Sequence, residues 1–91
     1  MMEGTKIYKV LLQFNPYELN RLRKYVQSPY FNVNERLELL LEECVHHIKQ
    51  DEPKPLPKET VWKNIGEGSP YNDVRFRKHC SDLLKLVEGW L

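Results

Sequence analysis

Glycine is scarce in this chain, four among 91 residues, and no glycine cluster has the spacing of a phosphate-cradling loop. The nucleophile-elbow and H-E-x-x-H patterns are missing as well, which removes the best-marked hydrolase and zinc-protease chemistries. Two cysteines, Cys44 and Cys80, are too few for a multi-bridge secreted scaffold. Both fall at helical core spacings, so reduced, buried thiols are expected. No apolar run approaches the ~20 residues that span a bilayer. Met1 to Lys9 lacks the basic start and apolar centre of a secretory signal, which makes the cytoplasm the expected compartment. Nor does one sign of charge dominate, the net being +1.

That balance hides a segregated layout. Residues 1–27 carry five basic against two acidic side chains, a net +3; residues 28–52 carry two against six, −4; residues 53–91 carry seven against five, +2. An acidic middle between basic ends suits the packing of neighbouring helices on one another. It is a poor match to the one-signed stripe of a dedicated nucleic-acid binder.

What the chain does have is helical periodicity, in a composition (41% hydrophobic) that favours an ordered globule. Ile7, Val10, Leu11 and Phe14 give a first helix one apolar face. Asn15-Pro16-Tyr17-Glu18 is the strongest helix start: Asn15 caps, Pro16 needs no amide partner, and Glu18 reaches back. Phe14 and Leu19 take the two positions of a hydrophobic staple. Leu19, Leu22, Tyr25 and Val26 form the stripe of helix two, which Ser28-Pro29 ends. Helix three starts from Asn32 with Glu35, or from Asn34 as the competing cap, and runs to about Lys49 on Leu37, Leu40, Leu41, Cys44, Val45 and Ile48. It is the expected centre of the core. Gln50 to Pro57, with three prolines, reads as a stiff exposed connection. A short helix four, Lys58 to Ile65, presents Val61, Trp62 and Ile65 and stops at Gly66-Glu67-Gly68. Helix five starts near Asn72 or Asp73 and carries Phe76, Cys80, Leu83, Leu84, Val87 and Trp90 or Leu91 on one side. It meets no stop residue, so an N-terminal domain of a longer protein is expected.

One pattern recurs. Ser28-Pro29-Tyr30-Phe31-Asn32-Val33 returns loosely as Ser69-Pro70-Tyr71-Asn72-Asp73-Val74, each copy between two helices and each followed by an arginine, Arg36 or Arg77. Every residue type in it has a local job: proline bends, the aromatics plug the bend, asparagine caps. The expectation is that Tyr30, Phe31 and Tyr71 fold back on the core. The competing reading puts these aromatics on a surface that grips a partner.

Other constellations carry less. Cys44, His46 and His47 lie together and His79 adjoins Cys80, but a zinc site wants four convergent ligands. Adjacent helical residues diverge by about 100°, so core cysteines with rim histidines are expected. The same divergence denies either thiol an adjacent histidine base. It also separates Glu42 from Glu43 as an acid–base pair.

The strings Leu19-Asn20-Arg21-Leu22, Ser28-Pro29-Tyr30-Phe31-Asn32, Pro70-Tyr71-Asn72-Asp73 and Ser81-Asp82-Leu83-Leu84-Lys85-Leu86 resemble the N-terminal region of an uncharacterised bacterial protein family. The resemblance implies a longer helical protein with an S-P-Y-F-N corner before an S-D-L-L-x-L helix. It brings no activity with it. Residues 58–91 are also faintly similar to the helical part of winged-helix regulators, without the β-hairpin wing.

The expected fold is all-α: about five helices in a small orthogonal or antiparallel bundle, two helix–corner–helix units, with residues 1–91 as one domain. The expected function is a non-catalytic interaction module that binds a protein partner or the remainder of its own chain through Tyr30, Phe31, Tyr71, Trp90 and Leu91. The alternative is a DNA-binding, helix-turn-helix-like regulator using residues 72–91, with Arg75, Arg77, Lys78 and Lys85 on the nucleic acid. No catalytic residue, cofactor, metal or membrane contact is assigned.

Overall fold

In the computed structural model, which describes residues 1–51 and 53–91, the apolar stripes become five α-helices behind one tight turn. A 3-10 turn at Met2–Gly4 leads to α1 (Lys6–Leu11), α2 (Pro16–Gln27), α3 (Glu35–Ile48), α4 (Lys58–Asn64) and α5 (Asp73–Trp90). No strand forms among the described residues.

Each start has a chemical cause. Thr5 Oγ1 accepts the Tyr8 amide and opens α1. At α2 the capping box is complete: Asn15 Oδ1 accepts from the Glu18 amide at 2.8 Å, and Glu18 accepts from the Asn15 amide at 3.0 Å. Asn34 and Asn72 cap α3 and α5 in the same way, their Oδ1 atoms accepting the amides of Arg36 and Arg75 at 3.0 Å. Only α4 lacks a side-chain cap and starts behind Pro57. It ends at Gly66, whose φ of +88° is the left-handed backbone that glycine adopts without strain.

The central position expected of α3 holds. It packs against all four other helices and buries Leu37, Leu40, Leu41, Cys44 and Val45. Its outer edge meets α2 through a bidentate pair, Arg23 Nε and Nη2 on the two Glu42 oxygens at 2.7 and 2.8 Å, so the basic first segment does engage the acidic middle. The two corner units are packed differently. α2 lies directly along α3, whereas α4 leans chiefly on α3 and reaches α5 through Trp62, near Phe76 and His79.

The proline-rich connection is exposed at Pro53, Lys54 and Pro55 but is not a free spacer. Leu56 accepts from the Met2 amide at 2.9 Å and donates its own to the Glu3 carboxylate, and the Lys54 carbonyl accepts from His47. Glu52, part of the expected connection, lies outside the described residues. No described helix is long and apolar enough to cross a membrane.

Candidate functional site

At the first corner Asn32 does not cap α3, because Asn34 takes that position. Asn32 braces the bend instead: its side-chain amide donates to the Val26 and Asn34 carbonyls at 2.9 and 3.1 Å, and its Oδ1 accepts from the Asn34 amide at 3.0 Å. With the backbone held from inside by this amide, the aromatics are not needed as plugs. Tyr30 is 89% exposed and Phe31 51%, which corrects the expectation that both fold inward. Phe31 stacks on Tyr25 at 4.6 Å between centroids, and Tyr30 meets Phe31 edge-on at 4.9 Å.

These rings continue toward the end of α5. The Tyr25 hydroxyl lies 3.9 Å from where a side chain on Gly89 would begin, and the next residue, Trp90, meets Phe14 edge-on at 5.7 Å. Trp90 is half-buried; Leu91 beyond it is 71% exposed. Tyr25 thus links the corner aromatics to the last turn of α5 at Gly89, next in the chain to Trp90 and Leu91.

Tyr71 is elsewhere. It sits half-buried between Trp62 and Phe76, at 5.7 and 5.8 Å, and its hydroxyl donates to Asp73 at 2.9 Å. Burial, then the bond to Asp73, pushes its phenol up to about 12. Trp62 Nε1 donates to the Ser69 carbonyl at 2.7 Å and fastens the same corner.

The arginines that accompany the corners converge, though not as the pattern suggested. Glu67, buried between its two glycines, places Oε1 2.9 Å from Arg36 Nε, 3.3 Å from Arg75 Nε and 3.2 Å from His79 Nε2. His79 donates a hydrogen bond to it, since a carboxylate only accepts; the Arg36 N–H does not point at the oxygen and contributes as an ion pair. It is Arg75, not Arg77, that corresponds to Arg36. One carboxylate thus ties both corners together.

Of the four cations considered for DNA, Arg75 is held by Glu67, Arg77 by Asp73 at 2.6 Å and Lys78 by Asp82 at 3.1 Å. Lys85 is exposed and forms no ion pair among the described residues.

His47 and His79 are buried, not rim residues, and only His46 is exposed. His47 Nε2–H donates to the Lys54 carbonyl, which leaves Nδ1 to accept the Tyr8 hydroxyl at 2.6 Å. Burial pushes the Tyr8 phenol up, with the Glu3 charge adding to it. Burial likewise pushes the Cys44 thiol far up, so that it is no thiolate at neutral pH. Among the described residues no three His, Cys, Asp or Glu side chains converge as a metal site.

Sequence reasoning missed Glu67 and the partners of both histidines. The one available sign was an acid flanked by glycines at a helix end. Comparison of the chain with known protein families, curated proteins and solved structures finds no match.

Proposed function

We propose that the protein is a non-catalytic interaction module whose contact surface is the band from the first corner to the end of α5. The observation that carries this reading is the outward placement of Tyr30, Phe31 and Leu91, with Val33 at 91% exposure beside the corner aromatics in the chain. Clustered aromatics are favoured where surface becomes interface, because they bring large contact area at little side-chain entropy cost. Tyr71 leaves the contact set, since its ring and hydroxyl are used internally. The occupant is a protein segment with an apolar face, met in a reducing compartment such as the cytoplasm, in keeping with the free thiols of Cys44 and Cys80. The duplex-DNA reading of α5 is weaker, because three of its four cations are already drawn to acids. The likeness to the bacterial family adds architecture only.

Photo-crosslinking inside cells tests the proposal. A benzophenone side chain at position 30 or 91 is expected to give one discrete protein adduct. The same probe at Val74, exposed but about 25 Å from Leu91 along α5, is expected to give none. Equal labelling from all three positions, or none from positions 30 and 91, rejects the surface.

A further inference from the structure

A second feature lies away from the aromatic band. Where the start of α1, the start of α4 and the middle of α5 meet, the surface opens into a cleft of about 280 Å³. Its walls include Ile7, Phe76 and Leu84, and its rim carries Lys6, Lys58 and Arg77. No acidic side chain lines it among the described residues. Lys6 and Lys58 form no ion pair among the described residues, unlike Arg77, which Asp73 already holds. Two lysines without an ion-pair partner among the described residues thus line a largely apolar cleft.

An apolar pit alone would suit any hydrocarbon, and a cationic rim alone would be an ordinary solvated surface. Together they set two requirements on one molecule: an apolar body to exclude water from the floor, and an anionic head to meet the lysines. The size adds a third, since 280 Å³ falls at the small end of ligand clefts, which run about 300–1,000 Å³. We infer that this cleft binds a compact amphiphilic carboxylate, a medium-chain acyl acid, with its head toward Lys6 and Lys58 and its body against the half-buried Cys80 and Leu84. Dinucleotides and phosphosugars fit less well, because the walls offer few hydrogen-bonding groups for polar rings, chiefly Thr5 and Ser81.

Cys80, which also lines the cleft, provides a reporter in place. Burial pushes its thiol up to about 11, while the Lys58 charge pulls the other way. The site is separate from the proposed partner surface, so either can fail without the other.

The probes are octanoate, below its micellar concentration, and uncharged octanamide. Titration of the whole chain followed by amide NMR is expected to show saturable octanoate shifts centred on Lys58, Cys80, Ser81 and Leu84. Octanamide should bind about tenfold more weakly, the size of effect that two solvent-accessible ion pairs supply. The double variant Lys6→Gln, Lys58→Gln should lose that preference while keeping octanamide binding, which also shows that the cleft remains folded. Bound octanoate should slow alkylation of Cys80. Equal binding of acid and amide, unchanged preference in the double variant, or shifts that never saturate at these residues would overturn the assignment.

Discussion

The two corners start from nearly the same letters and end in opposite states. At 28–34 the tyrosine points into solvent and an asparagine side chain holds the bend; at 69–73 the tyrosine is folded into the bend and the asparagine only caps. The difference lies in spacing. Tyr71 directly precedes its cap, Asn72, which sets it opposite Phe76 in the geometry of a hydrophobic staple. Tyr30 stands four residues before Asn34, so the staple positions pass to Val33 and Glu38, which make no apolar pair. Three added residues between tyrosine and cap therefore release two aromatics to the surface, and the braces from Asn32 make up for the missing plug.

The sharpest way to break this comparison is to truncate both tyrosines. Tyr71→Ala removes a half-buried ring wedged against Trp62 and Phe76 and should cost about 2–3 kcal/mol of unfolding free energy. Tyr30→Ala should stay within about 0.5 kcal/mol of the parent, as surface changes do. Urea unfolding of the two variants measures both. Similar losses would mean that the corners are equivalent after all.

The joint between the corners comes next. Glu67→Gln keeps the shape but removes the charge shared by Arg36, Arg75 and His79. The arginine side chains are 41% and 54% exposed, so solvent screens much of the attraction, and a loss of about 1–2 kcal/mol is expected. A double-mutant cycle with Arg36→Met should show stronger coupling to Glu67 than one with Arg75→Met, following the shorter contact and lower exposure. Reversed order would put the second corner, not the first, at the centre of the joint.

Much of this architecture was legible because its causes are local. The Asn15–Glu18 box, the proline inside it, the α3 stripe and the stop at Gly66 each need only nearby residues, and each formed as read. The contacts that escaped reading are those closed by the fold. His47 finds Tyr8 39 residues away, and Glu67 collects Arg36 across 31 residues of chain, pairings that no period or spacing announces. The proposed contact surface was half legible: Tyr30, Phe31, Trp90 and Leu91 could be named, but the approach of Tyr25, stacked on Phe31, to Gly89 is a product of packing. Likewise Asn32 and Asn34 both looked like caps, and only the bend decides between them.

Alkaline titration separates the ring of the half-buried Tyr71 from its hydroxyl. The folded state holds the Tyr71 phenol near 12, above its ordinary 10, by burial and by the bond to Asp73. A group whose folded value is raised contributes stability that is full below about pH 10 and fades as pH climbs toward 12, because the unfolded chain ionises first. Tyr71→Phe should flatten that alkaline decline while leaving the ring contacts in place. If unfolding measured from pH 9 to 12 shows the same slope in parent and variant, the phenol is not held as described.

The caps offer the smallest effect and the most exacting comparison. Asn34 and Asn72 make the same 3.0 Å bond to a first-turn amide of α3 and α5, although the chain approaches them from opposite kinds of corner. If a cap acts only on its own helix, Asn34→Ala and Asn72→Ala should each cost about 1 kcal/mol, with little difference between them. Asn34 has one further duty, since its backbone amide and carbonyl both bond the Asn32 side chain. Those bonds belong to the backbone and survive the substitution. Equal losses would therefore locate the divergence of the corners in the tyrosine spacing alone, whereas a distinctly larger loss at Asn34 would show that brace and cap act as one unit at the corner where the aromatics face outward.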